Sequence, residues 1–158
     1  RRSRSFCPPA TPEPREARRG NSGRAILRRH RGMNTKYIEW VLRISIAGEF
    51  MGHGVFALQG KKDWVGWFAR FGISDAGIAT QLLFVVGIID IALAVLILIK
   101  PVRFALLWMV LWGFWTALLR PIVGMPVWDF MERWANWGAP FALLLLKGWP
   151  KSREDWFK

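Results

Sequence analysis

The chain has one cysteine, Cys7, and two histidines, His30 and His53, in 158 residues. Cys7 lies in an Arg-rich opening segment. The remainder can therefore form no disulfide, offer no thiolate nucleophile and build no cysteine metal site. No P-loop, dinucleotide-binding glycine motif, nucleophile triad or cysteine pair occurs either. The stretch GIIDIA, residues 87–92, follows an apolar run but is not a Rossmann turn. Acidic residues are scarce: 11 Asp and Glu stand against 23 Lys and Arg, for a net charge of +12. Such an excess suggests nucleic acid until it is located. Residues 1–32 carry ten Arg against Glu13 and Glu16, a balance of +8, whereas residues 33–158 carry only +4. The excess is mostly a tail, so no nucleic-acid partner is expected for the rest.

That tail is rich in Arg, Pro, Gly and Ser and has no apolar period. It cannot bury enough surface to offset its ordering entropy, so disorder is expected over residues 1–32. No apolar h-region of the required length precedes Met33, which excludes a signal peptide. Three readings remain: a binder of RNA or anionic lipid, a targeting segment, or sequence upstream of a true start at Met33. The short polar lead Met33-Asn34-Thr35-Lys36 favours the last.

Apolar surface is what the chain has in plenty. Hydrophobic residues make up 53% and include 11 Trp, more than a soluble domain of this size readily hides. A membrane span needs about 20 mostly apolar residues to cross ~30 Å of hydrocarbon. Four segments qualify: 37–58, 78–99, 102–119 (if Arg103 snorkels) and 127–149, the last with a polar start and a kink at Pro140. The expected fold is an all-α, four-helix transmembrane bundle over residues 33–150, in contact with the lipid bilayer. Lys36, Lys100, Arg103, Lys147, Lys151, Arg153 and Lys158 flank one side of these spans. By the positive-inside rule both termini, including a tail at 151–158, face the cytoplasm. Residues 61–71 carry Trp64, Trp67, Phe68 and Phe71 on one helical face and read as a short interfacial helix on the outer surface. Trp108, Trp112 and Trp115 mark one face of the third span. No internal repeat is evident.

Ionisable residues inside the spans are the candidates for function. A mid-membrane charge costs at least about 2.5–3.5 kcal/mol, so it faces protein or water and has a partner. Counted from the outer span ends, Glu49 is about 13 Å deep, His53 about 8 Å and Asp90 about 18 Å. Arg120 closes the third span on that side, and Glu132 and Arg133 open the fourth. These six residues define a candidate polar intramembrane pocket. Glu49 and His53 share a helix face, but a catalytic metal needs more than one core histidine, so no metal is expected. A His beside a buried carboxylate suits a proton pair, and a His or Arg suits a quinone carbonyl, so quinone is the candidate cofactor. The structural alternative is a Glu49–His53–Arg120–Glu132 network that fixes helix register, with Arg120 and Glu132 the nearest partners by depth. Gly48, Gly52, Gly54 and Gly87 are the candidate helix-packing positions, Gly48 and Gly52 forming a small-x-x-x-small face.

Arg43, the His53-Gly54 pair, the Gly87–Asp90 motif in "GIIDIALAVLIL", and the stretches "LLRPIVG" and "ERWANWGAPFALLLL" together resemble the DoxX-like family of small four-span membrane proteins. The resemblance covers about residues 36–149. Asp90 departs from the Glu that many members carry. The resemblance implies a multi-pass protein of the bacterial inner membrane, associated with a redox partner subunit and a quinone. It assigns no catalytic residue. A structural or assembly subunit, and a small-solute or proton transporter, are the alternative functions.

Overall fold

The computed structural model describes the backbone of residues 15–157 and the side chains of residues 34–157. The expected basic tail lies largely outside these residues. The chain divides into two compact units, Arg1–Tyr37 and Ile38–Lys158, and the second holds everything discussed below.

All regular elements among the described residues are helical. The first helix, α1, runs Arg15–Leu58. A short helix α2, Lys62–Trp67, continues as a 3-10 turn over Phe68–Phe71. Gly72 ends that turn at φ 82°, a left-handed conformation that glycine adopts without a Cβ clash. Helix α3, Ala76–Ile99, starts at Asp75, whose side chain accepts from the Ile78 amide at 2.8 Å. Helix α4 spans Arg103–Ile122, α5 Val127–Met131 and α6 Trp134–Leu146, and a second 3-10 turn, Glu154–Phe157, follows.

Three helices are long and apolar enough to cross a membrane: Asn34–Leu58, Ala76–Ile99 and Arg103–Ile122. Their surfaces agree with that reading. On α3 the buried residues Ala79, Leu83, Gly87, Asp90, Ala94 and Ile97 recur every three or four positions and form one stripe. The opposite face stays apolar: Phe84, Val85, Ile88 and Val95 are all exposed. In water that face would be polar. The fourth expected span is divided instead. Glu132 and Arg133 separate α5 from α6, and the 13 residues of α6 rise only about 20 Å.

Ile38–Lys158 is built from two similar hairpins. In the first, α1 and α3 cross at glycines. A methyl on Gly54 would sit 2.9 Å from the Gly87 carbonyl oxygen, and one on Gly87 would sit 2.8 Å from that of Gly54. In the second, α4 packs along α6, and a methyl on Gly113 would sit 2.8 Å from the Asn136 carbonyl oxygen. Pro140 has no N–H to give that carbonyl four residues earlier, so the close glycine backbone replaces a helix partner with a weaker C–H contact. At the other end of each hairpin an arginine binds carbonyls at or just past the end of the returning helix. Arg43 Nε donates to Ile97 O at 2.9 Å, and its Nη2 donates to Leu98 O. Arg103 donates to Lys147 O at 2.7 Å, to Gly148 O at 3.0 Å and to Asp155 O at 3.0 Å. Both place a cation where unpaired carbonyls and the helix dipole favour one. A core of Ile46, Phe50, Ile97, Leu106, Met109, Leu143 and Leu144 joins the hairpins.

Gly48 and Gly52, expected on the packing face, stand in open space: a methyl on either meets nothing within 4 Å. Gly54→Ala and Gly87→Ala should therefore each lose about 1–3 kcal/mol by overpacking. Gly48→Ala should be neutral or gain up to about 1 kcal/mol of helix propensity. Thermal unfolding in one detergent compares them, and equal effects at Gly48 and Gly87 would refute the close crossing.

Candidate functional site

The Gly54–Gly87 crossing brings together two side chains that stand beside it in sequence. His53 precedes Gly54, and Asp90 lies one helical turn after Gly87. The His53 Nδ1 is 2.8 Å from Asp90 Oδ2. Asp90 is 1% exposed and its Oδ1 has no partner. With the carboxylate ionised, His53 Nδ1 must carry the hydrogen and donate it. Nε2 is then an acceptor in the neutral ring and a donor in the imidazolium. Trp64 from α2 packs on the imidazole with ring centroids 4.4 Å apart and tilted by 36°. The short helix 61–71 therefore does more than lie on a surface. Trp64 is buried, and with Ala57 and Leu83 it forms a second small core beneath the 3-10 turn.

Beside this pair lies a cavity of about 400 Å³. Its walls are mostly apolar and come from Trp67 and Phe71, from Leu82, Val85 and Val86 on α3, and from Trp112, Trp115 and Leu119 on α4. His53, Thr116, Arg120, Arg133 and Asn136 supply its polar groups. Val85 is 53% exposed, and Leu82, Trp115 and Phe71 are also exposed. These residues both line the cavity and face outward, so it opens sideways between α3 and α4 onto the apolar surface. Size, apolar walls and a few convergent polar groups are the usual features of a small-molecule pocket.

The polar groups are mainly donors. The Trp112 Nε1 and Arg120 Nε atoms are buried without a hydrogen-bond partner. Arg120 is 7% exposed, and its guanidinium lies over the Trp67 ring at 5.7 Å. No carboxylate among the described residues forms an ion pair with it. Glu132 is exposed and pairs only with Arg133, at 3.5 Å. Glu49 is half-buried in a narrow recess with His53, Trp112, Thr116 and Asn136. Among the described residues, no three His, Cys, Asp or Glu side chains are grouped to hold a metal ion.

The expected Glu49–His53–Arg120–Glu132 network is thus replaced by another arrangement. Asp90 takes His53, Trp67 takes Arg120, and Glu132 turns outward. Counting depth from span ends misleads because the helices are staggered. A methyl on Gly60, just past the end of α1, would lie 3.5 Å from Thr80, which is already inside α3. The overhang of α3 is filled by α2 and the 3-10 turn. Sequence reasoning missed Trp64 and Trp67 as residues of the site. The available signal was the pairing of two short motifs, His-Gly in one helix and Gly-x-x-Asp in the next. The chain matches no protein-family model, no curated protein and no solved structure.

His53→Ala strands the Asp90 carboxylate, so it should cost about 1–3 kcal/mol. Adding Asp90→Leu to that variant should recover part of the loss, giving a coupling energy of at least about 1 kcal/mol in a double-mutant cycle. Additive losses in detergent unfolding would argue against the contact.

Proposed function

We propose that this chain is a DoxX-like, four-span protein of a bacterial inner membrane, with both termini cytoplasmic, and that it is a small quinone-associated accessory component of a membrane redox system. The observation that carries the reading is the cavity between α3 and α4. It is open to the lipid-facing surface, large enough for a substituted ring and its first chain unit, and lined at its polar end by His53, Arg120 and Asn136. In this orientation the cavity lies in the outer half of the bilayer, and α5 with α6 supplies the fourth, broken span.

The residues present suit a quinone. Arg120 Nε and Trp112 Nε1 are buried donors without acceptors, which a ring carbonyl would supply. Trp67, Trp112 and Trp115 offer aromatic surface beside them. Asp90 holds His53 in one orientation and leaves Nε2 as the ring's second hydrogen-bonding atom. A bound quinone supplies two-electron, two-proton chemistry, with the electrons exchanged through a partner subunit.

A second reading has its own support. His53 Nδ1 and Asp90 Oδ2 pair with one another, as in a purely structural contact. In that case the chain is an assembly subunit whose buried charges pack helices. Purification in mild detergent followed by organic extraction separates the two. The redox reading expects close to one quinone per folded chain, and a several-fold lower ratio per folded chain in His53→Ala. Glu49→Gln should lower quinone-linked activity in the same way. An empty extract from well-folded protein favours the structural reading.

A further inference from the structure

The quinone reading leaves one charge unexplained. A quinone is neutral, so it would satisfy donors around Arg120 without compensating the guanidinium. Arg120 is 7% exposed, and among the described residues only the Trp67 ring lies against its guanidinium. Burying a charge without an opposite charge beside it is unfavourable. Glu49, Asp129 and Glu132 act on Arg120 only through space, and Arg133 adds a second positive charge that opposes them. The C-terminal carbonyls of α4 offset part of this, but none accepts a hydrogen bond from the guanidinium. The start of α6 adds to the positive field. Its N-cap, Arg133, makes no side-chain capping bond, so the amides of the first turn have no side-chain acceptor there.

Two arginines, an indole N–H, a carboxamide and an uncapped helix start therefore converge on one end of an otherwise apolar cavity. We infer that this cavity binds an anionic single-chain amphiphile. Its carboxylate or phosphate head is held at Arg120, with Arg133 and Trp112 as further donors. Its acyl chain leaves between Leu82 and Val85 of α3 and Trp115 and Leu119 of α4, into the bilayer. An anionic head does what a neutral ring cannot: it accepts the stranded hydrogen bonds and neutralises the charge. The inference goes beyond the quinone reading and does not require it. If both hold, the two ligands compete for one cavity.

The test uses the full chain in a non-ionic detergent and reads quenching of pocket tryptophans by brominated stearate and by its methyl ester. The two probes differ only in head charge. The acid should bind about tenfold more tightly than the ester or better, a difference of about 1.4 kcal/mol. Arg120→Gln should abolish that preference, Arg120→Lys should keep part of it, and Gly48→Ala, outside the cavity, should leave it intact. Should Arg120→Gln fail to fold, the wild-type acid-to-ester ratio and the lysine variant carry the test. Equal binding of acid and ester, or a preference that survives in Arg120→Gln, overturns the inference. Full displacement of the acid by inorganic phosphate alone overturns the amphiphile in favour of a free anion, whereas displacement only by an alkyl phosphate supports it. A short-chain quinone that binds when the acid does not sinks this inference and leaves the proposed function standing. The reverse result does the opposite.

Discussion

The backbone contact between Gly54 and Gly87 sets the rest of the site. Only hydrogen atoms occupy the space between two carbonyl oxygens and two α-carbons, and an added methyl on either side would meet backbone at 2.8–2.9 Å. In lipid, helices gain little from burying apolar side chains against one another, so close backbone approach is one of the few strong packing devices. The contact also fixes which side chains meet next to it. His53 and Asp90 flank the crossing and have no choice but to face each other. Trp64 then covers the imidazole, and the 3-10 turn is held over the cavity mouth.

The two hairpins use the same devices at nearly the same spacing. Gly54 lies 11 positions after Arg43, and Gly113 lies 10 positions after Arg103. In each hairpin the glycine meets the backbone of the returning helix, and the arginine caps that helix at its far end. The likeness is one of roles. The strings RISIAGEFMGHG and RFALLWMVLWG share almost nothing but the arginine and the glycine, so no repeat was legible. The hairpins differ where function would need it. Where the first pairs its buried carboxylate with a histidine, the second has Arg120 and Arg133 without a buried carboxylate. The cavity lies along that asymmetry.

Much of the architecture was legible because it rests on composition. The long runs at 78–99 and near 104–119 left no alternative to apolar helices, and several of the charges that interrupt the apolar pattern lie around one cavity. Two things were hidden. Residues 127–149 are apolar enough on average to suggest a span, but Glu132-Arg133 interrupts them, and an average does not show a break. Pairing was hidden too, because it depends on helix stagger. His53 and Asp90 stand at different depths when counted from their own helix ends, yet touch, since α3 overhangs α1. Gly48 and Gly52 had the right spacing for a packing face but point away from any neighbour. Spacing identifies a face and leaves its orientation open.

The electrostatics of the cavity follow from where the carboxylates went. The buried helical region holds Asp90 and Glu49 as acids and Arg43, Arg120 and Arg133 as bases. Arg43 is occupied by the α3 carbonyls and by Glu39, and Asp90 is occupied by His53. Glu132 lies outside the pocket with Arg133. Each pairing is locally sound, and together they leave positive charge at the polar end of a lipid-facing cavity. A protein that only needed stable helices could have placed leucine at position 120, since replacing a buried charge by an apolar residue is often neutral or better. An arginine there, over an aromatic ring and in a cavity that also holds an unpartnered indole N–H, is more economically explained by a ligand than by packing.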